Sequence, residues 1–414
     1  MPVHLRRLQC LISVCKIGTK WRPVEKPWDN WIPGVLNKEQ MLSLTTKGIL
    51  TASIIGEASL DLSLTNEGYK MLRGSVKPGG DDRYSVILRN ALLAERMPVQ
   101  QDDIFTLDCN HTYVFKLTER LDSAFSEIGI FGEATAKSSV GRVDVLARLI
   151  VDGMDQYERF DANRLKGQSG DIYLEITPFT FRVKVKAGKC LSQLRLFYGD
   201  PKNVEVRGGE IYRTVFKDSI TGDGSLSVDL ENTEIGGLDV AAFCAEGDRN
   251  NEPVCLWKGE TLADPCKNWK FMKSGEDKRL KIENNRFYIL RSKEHIRVPE
   301  GIAIYCRASD ETIGEMRIHY AGFVHPWFGQ RDDGKNGTPL IFEVRGHQVD
   351  VSLRHGERMA NLTLYRMSKN AEKDTSDYGK QTLKLSSFFS DWPNRLKEVG
   401  NNGTVEAADT TSEG

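Results

Sequence analysis

Apolar and polar positions alternate along most of this chain. Runs such as Tyr113-Val114-Phe115-Lys116-Leu117, Asp171-Ile172-Tyr173-Leu174-Glu175-Ile176 and Phe181-Arg182-Val183-Lys184-Val185 recur between clusters of Gly, Asp and Asn. A period of two buries one face of a strand and wets the other, and the clusters between the runs supply turns. The pattern predicts an all-β barrel or sandwich with short helices and little room for βαβ units. One helix is expected over Asn37 to Leu44, where apolar spacing becomes helical behind an acidic first turn.

The second half repeats the first in outline. Ala58-Ser59-Leu60-Asp61-Leu62 has a counterpart in Gly224-Ser225-Leu226-Ser227-Val228-Asp229-Leu230, and Asp108 to Leu117 has one in Asn285 to Arg291. Leu174-Glu175-Ile176 matches Phe342-Glu343-Val344, and Ala187 through Leu196 matches His355 through Leu364. Matches in one order imply a tandem duplication, and hence a built-in dimer of β domains. The organisation expected is a Trp- and Pro-rich arm over 1–35, a first domain over 36–200 and a connector over 201–222. A second domain over 223–370 and a polar, partly disordered extension over 371–414 complete it.

Composition narrows the partners. With 57 Lys and Arg against 58 Asp and Glu, the formal net charge is −1, which argues against a nucleic-acid binder working through a global positive field. A polyanion must be held by a local group of bases, which favours a small phosphate ester. Eight cysteines lie singly, with no Cys-x-x-Cys pair, and read as reduced thiols in a cytoplasmic compartment. The apolar run Leu8 to Val14 is too short to span a membrane, no small-residue cleavage site follows it, and no membrane segment is expected elsewhere.

Three constellations could carry chemistry. Lys137-Ser138-Ser139-Val140-Gly141-Arg142 places a point charge, two hydroxyls and a forked guanidinium on one short arc, suited to phosphate, although a polar turn capping a short helix has the same inventory. Ile318-His319-Tyr320-Ala321-Gly322-Phe323-Val324-His325-Pro326-Trp327 can form a hairpin whose backbone faces a planar base, or a buried hairpin with core aromatics. Glu175 and Glu343 each sit between apolar neighbours, so their carboxylates point away from the apolar face, into a pocket or into solvent. A zinc deaminase is set aside: His355-Gly356-Glu357 fits His-x-Glu, but Pro265-Cys266 lacks its second cysteine.

These blocks in this order resemble the metal-independent dCTP deaminases of the dUTPase superfamily, in particular their tandem two-domain bacterial form. The resemblance spans roughly residues 34–370 and adds Val143-Asp144-Val145, Tyr173 to Pro178, Leu191-Ser192-Gln193-Leu194 and Gly314 to Phe323 to the blocks above. It implies two dUTPase-like (β-clip, jelly-roll) barrels and a site shared between subunits or halves. By position it implies catalytic roles for Ser138, Arg142, Ala321 and Glu343, with Glu175 at the equivalent place in the first half. Substrate contacts fall to Lys137, Ser139, Lys189, Gln193, His319, Tyr320, Gly322, Phe323 and His325.

The implied reaction converts dCTP to dUTP and ammonia by Glu-activated water without zinc, magnesium accompanying the triphosphate. The implied assembly is a homo-oligomer, dimer or trimer, with no nucleic-acid or membrane partner. The halves have diverged in complementary ways: the first keeps the Ser/Arg block, the second the hairpin, and the second half's Ser position is read as Ala308. One composite site is therefore expected. Relatives carry Asp-Pro-Gly where this chain has His325-Pro326-Trp327, so Trp327 is expected to narrow or reshape the pocket. Hydrolysis of dUTP or another dNTP, and an inactive deoxynucleotide-binding sensor, are the alternatives.

Overall fold

The computed structural model describes residues 26–80, 83–99, 101–165, 170–216, 223–247, 252–259, 261–308, 316–318, 322–330, 337–373, 382–400 and 402–408. Met1–Trp31 and Ile32–Gly414 are separate compact units, and the first contributes only a short turn at Pro27–Asn30 to the described residues. Residues 1–25 of the arm lie outside them.

In the larger unit the first helix is α1 (Lys38–Thr46), started by a capping box: Asn37 accepts from the Gln40 N–H, and Gln40 accepts from the Asn37 N–H. The body is then β. The first half supplies β1 (Leu60–Met71), β2 (Tyr113–Leu121), β3 (Ile130–Ala136), β4 (Val145–Val151), β5 (Arg159–Asp161), β6 (Gly170–Pro178) and β7 (Cys190–Tyr198). They pair in the order β5-β3-β7-β1-β2-β6-β4.

The second half supplies β8 (Ser225–Asp229), β9 (Phe287–Ile296), β10 (Ile302–Ala308), β11 (Met316–Ile318), β12 (Gly322–Val324), β13 (Thr338–Gly346) and β14 (Arg358–Arg366). Their order is β12-β10-β14-β8-β9-β13-β11. Each strand of the second path occupies the place of its counterpart in the first, so the duplication read from the sequence is a duplication of topology.

Alternation is clean where a strand has one wet face, as in the outer part of β2. β6 and β7 are buried along nearly their whole length, because their second face lies against other protein. For β7 that protein is the other half. Val35, Ala58 and Phe197 pack in one cluster with Ala303, Tyr305, Tyr365 and Met367. Val183–Lys186 pairs parallel with Val254–Cys255, a strand contact between the halves.

Buried charge also crosses this seam. Asp144, fully buried, is held by Arg345 of β13 and by Thr180. Glu133 of β3 meets Arg307 at 3.5 Å and accepts from the Tyr365 hydroxyl at 3.4 Å. Asn37 and Gln40 donate to the Asn370 carbonyl and the Ser368 hydroxyl.

The connector and the extension both carry ordered structure among the described residues. The connector is not a plain linker: Pro201–Val204 and Gly209–Val215 are helical, Glu205–Val206 pairs with β14, and Val215 and Phe216 enter the second-half core. The extension after 371 is not disordered where it is described. Leu383, Leu385, Phe388 and Phe389 are buried, Phe389 against Phe181 and Trp269, and Leu396–Val399 pairs with Thr404–Ala407. A few spaced apolar residues anchor a segment whose average composition is polar. No helix among the described residues is long and apolar enough to cross a membrane.

Removing one partner of a buried ion pair strands the other charge. Arg345→Met is therefore expected to lower the unfolding free energy by about 3 kcal/mol in a denaturant titration; a loss below about 0.5 kcal/mol would mean that Asp144 does not tie the halves together.

Candidate active site

β3 delivers its C-terminal end to the seam. Lys137 stays extended and caps α2 (Ser138–Gly141), a single turn in which the Val140 and Gly141 amides donate to the Lys137 carbonyl. Val140 is buried and anchors the turn, leaving Ser138 exposed and Ser139 half-buried. Lys137 Nζ meets Asp61 Oδ2 at 2.5 Å, Arg142 is 8% exposed, and the Ser139 carbonyl accepts from the Ser386 hydroxyl at 2.6 Å. Asp144 closes the loop with φ +56°, a left-handed conformation held by its bonds to Arg345 and Thr180.

From the other half, β13 brings Glu343. Phe342 and Val344 enter the second-half core, so alternation turns the Glu343 carboxylate the other way, toward the seam. There its Oε1 lies 3.7 Å from Arg142 Nε. Burial pushes the Glu343 carboxyl up to about 7, and the Arg142 cation opposes that rise. Burial, with Glu343 beside it, pushes the Cys306 thiol up to about 12, which keeps it a neutral wall group.

Between these two sides lies a cavity of about 330 Å³. The first half contributes Ser59, Asp61, the Ala136–Ser139 turn, Arg142 and Gln193, with Ile54 to Glu57 at the edge. The second contributes Cys306, Gly322 to His325, Phe328 and Leu340 to Glu343. A Cβ on Gly322 would meet nothing within 4 Å, so its backbone faces open space.

The structure thus brings Lys137, Ser138, Ser139, Arg142, Gln193, Gly322, Phe323, His325 and Glu343 to one cavity. Ala321, His319 and Tyr320 lie outside the described residues. Lys189 does not reach the cavity: it is exposed on the turn before β7, where its carbonyl accepts from the Leu64 amide. Glu175 is not on the cavity wall either. Arg148, opposite it on β4, binds its carboxylate at 2.5 and 3.0 Å, and Ser75 and Tyr157 donate to the other oxygen.

Trp327 does not narrow the pocket. Its backbone takes φ +70°, the conformation glycine adopts most easily, and its indole donates to the Ala371 carbonyl at 3.0 Å within the seam cluster. The Ser position of the second half also shifts. Ala308 stands opposite Ala360 as Ala136 stands opposite Ser192, so Ala308 is the counterpart of Ala136, and the residues directly after it lie outside the described ones. The residues missed from sequence include Ile54, Ile55, Gly56, Glu57, Ser59, Asp61, Cys306, Phe328, Leu340 and Ile341. For Asp61 a signal existed, since it lies in a repeated block one strand from Gln193.

Glu343 retains its proton to about pH 7 in the folded chain, whereas an unfolded carboxyl ionises near 4.5. Ionisation therefore costs stability progressively as pH rises through that window. Glu343→Gln is expected to raise the thermal midpoint relative to the parent at pH 8 and to leave it unchanged at pH 4; a pH-independent difference would contradict the burial of an ionisable group there.

Comparison with known proteins agrees with this architecture. The model of the 2'-deoxycytidine 5'-triphosphate deaminase N-terminal domain matches residues 32–200, and that of the C-terminal domain matches residues 209–389. The crystal structure of 2'-deoxycytidine 5'-triphosphate deaminase from Agrobacterium tumefaciens superposes with a TM-score of 0.71 at 28% identity, covering 81% of this chain and 99% of that one. A β-glucuronidase from Ruminococcus gnavus, at 10% identity over 76% of this chain and 47% of its own, has a TM-score of 0.18 and carries no argument. No curated protein matches significantly. With both domain models in tandem, a dUTPase-like β fold in each half and a structural neighbour of the same activity, the chain belongs to the two-domain dCTP deaminases, hydrolases that act on a C–N bond.

Proposed function

We propose that dCTP is deaminated in the composite cavity, with Glu343 as the proton-transfer group and the Lys137–Arg142 turn as the phosphate and charge-stabilising side. The observation that carries this reading is the meeting of Arg142 and Glu343 across the seam, with the carboxyl raised to about 7 by burial. A base poised near neutrality can both accept and return a proton.

In the proposed sequence, ionised Glu343 takes a proton from water while the water oxygen bonds to C4 of cytosine. The protonated carboxyl delivers that proton to the ring nitrogen, and a second transfer from the added hydroxyl converts the amino group to ammonia. The C4–N bond breaks, leaving dUTP, so one water enters and one ammonia leaves. Arg142 and Ser138 orient the water and stabilise developing charge. In this scheme Lys137, Ser139 and Gln193 take the phosphate, and Gly322 and Phe323 the base; all five line the cavity.

Magnesium enters this proposal only with the substrate. Glu57 and Asp61 on the wall are already paired with Lys38 and Lys137, and no cluster of three or more His, Cys, Asp or Glu occurs among the described residues. An ion would be carried by the phosphate oxygens, where it would neutralise charge.

Incubation with dCTP is expected to release ammonia and dUTP in equal amounts without pyrophosphate. The rate should rise as pH increases through about 7, since the ionised carboxyl is the base, and Arg142→Met should move that limb upward by removing the cation that favours ionisation. Glu343→Gln is expected to lower kcat roughly a thousandfold, while Glu175→Gln, which keeps neutral partners for Ser75 and Tyr157, stays within about threefold. The reverse ranking would place the chemistry in the first half's carboxylate; pyrophosphate as a product would make the enzyme a dNTP hydrolase.

A further inference from the structure

Arg195 lies on β7 and is fully buried, a costly place for a guanidinium. Burial pulls it down to about 10, and Glu133 opposes that drop. It makes no direct contact with the cavity. Its Nη1 donates to the Ile304 carbonyl at 2.8 Å, its Nη2 to the Val324 carbonyl at 3.3 Å, and its Nε to the Ala58 carbonyl at 3.4 Å. Its guanidinium stacks on the Phe323 ring at 4.0 Å. One first-half side chain thus holds two adjacent strands of the second half, β10 and β12. β12 carries Gly322 and Phe323, which form the cavity wall.

The duplication provides an internal control. Across the equivalent registers Arg195, Glu133 and Arg159 in the first half correspond to Thr363, Tyr305 and Phe323 in the second. At the mate of this contact, Thr363, Gly132, Arg159 and Phe160 line an open cavity of about 420 Å³. The space that Arg195 fills beside the substrate cavity is therefore left unfilled at the pseudo-equivalent place. A general packing requirement of the fold would have acted on both.

We infer that Arg195 is a positioning residue for deamination, a cross-seam clamp that sets strand β12 at the distance the cytosine base requires. This rests on the proposed site. The clamp acts on the second-half wall, whereas the Lys137–Arg142 turn is held by its own contacts, so base recognition and phosphate recognition should separate.

The test compares the full-length parent with Arg195→Met, using dCTP as substrate and tripolyphosphate as competitor. KM for dCTP is expected to rise and kcat to fall, each roughly tenfold, while the inhibition constant of tripolyphosphate stays within about twofold. Equal loss of both affinities, or unchanged dCTP kinetics, would overturn the clamp. Should Arg195→Met fail to fold, Arg195→Lys, which keeps charge but cannot fork onto two carbonyls, carries the same comparison, and Phe323→Leu should reproduce the dCTP-specific loss. A parent that binds dCTP without releasing ammonia would remove the deamination mechanism but leave the affinity comparison decisive for the clamp. A parent that does not bind dCTP would remove both.

Discussion

Arg142 and Glu343 come from different halves of the chain and meet where water is largely excluded. Their electrostatics depend on separation and local dielectric, so everything that fixes the two halves against each other also sets the behaviour of this pair. The seam supplies that fixation with unusual chemistry. Instead of an apolar interface alone, it uses Arg345 on Asp144, Glu133 with Arg307 and Tyr365, and Arg195 on backbone carbonyls. Buried polar contacts of this kind contribute little net stability but tolerate few alternative alignments. Registration is what the proposed site needs.

The two halves preserve one topology but differ in what their matching carboxylates meet. Glu175 and Glu343 occupy equivalent strands, yet one is neutralised locally by Arg148 and the other faces a guanidinium across the seam. The difference comes from what stands opposite each carboxylate, not from the strands that carry them. A similar exchange has occurred beside the site, where Phe323 in one half corresponds to Arg159 in the other.

Much of this was legible in the sequence because it is local. Period-two alternation marked the strands, the repeated blocks marked the duplication, and the Lys-Ser-Ser block and the Gly322-Phe323 pair both line the one cavity. What was not legible depends on distant partners. Lys189 sits in a matching block, but the turn before β7 carries it away from the cavity. Trp327 looked obstructive because bulk can be read from a sequence and direction cannot; its left-handed backbone aims the indole at Ala371. The apolar anchors Phe388 and Phe389 were hidden by a polar average, and the ring partners of Phe389 are more than a hundred residues upstream.

The helical link at Pro201–Val215 has a consequence for concentration dependence. In an enzyme whose site lies between separate subunits, dilution shifts the equilibrium toward incomplete sites. Here the complementary surfaces are tethered, so their encounter is intramolecular and governed by a fixed effective concentration. Assembly of the Arg142–Glu343 contact then becomes a step in the folding of one chain.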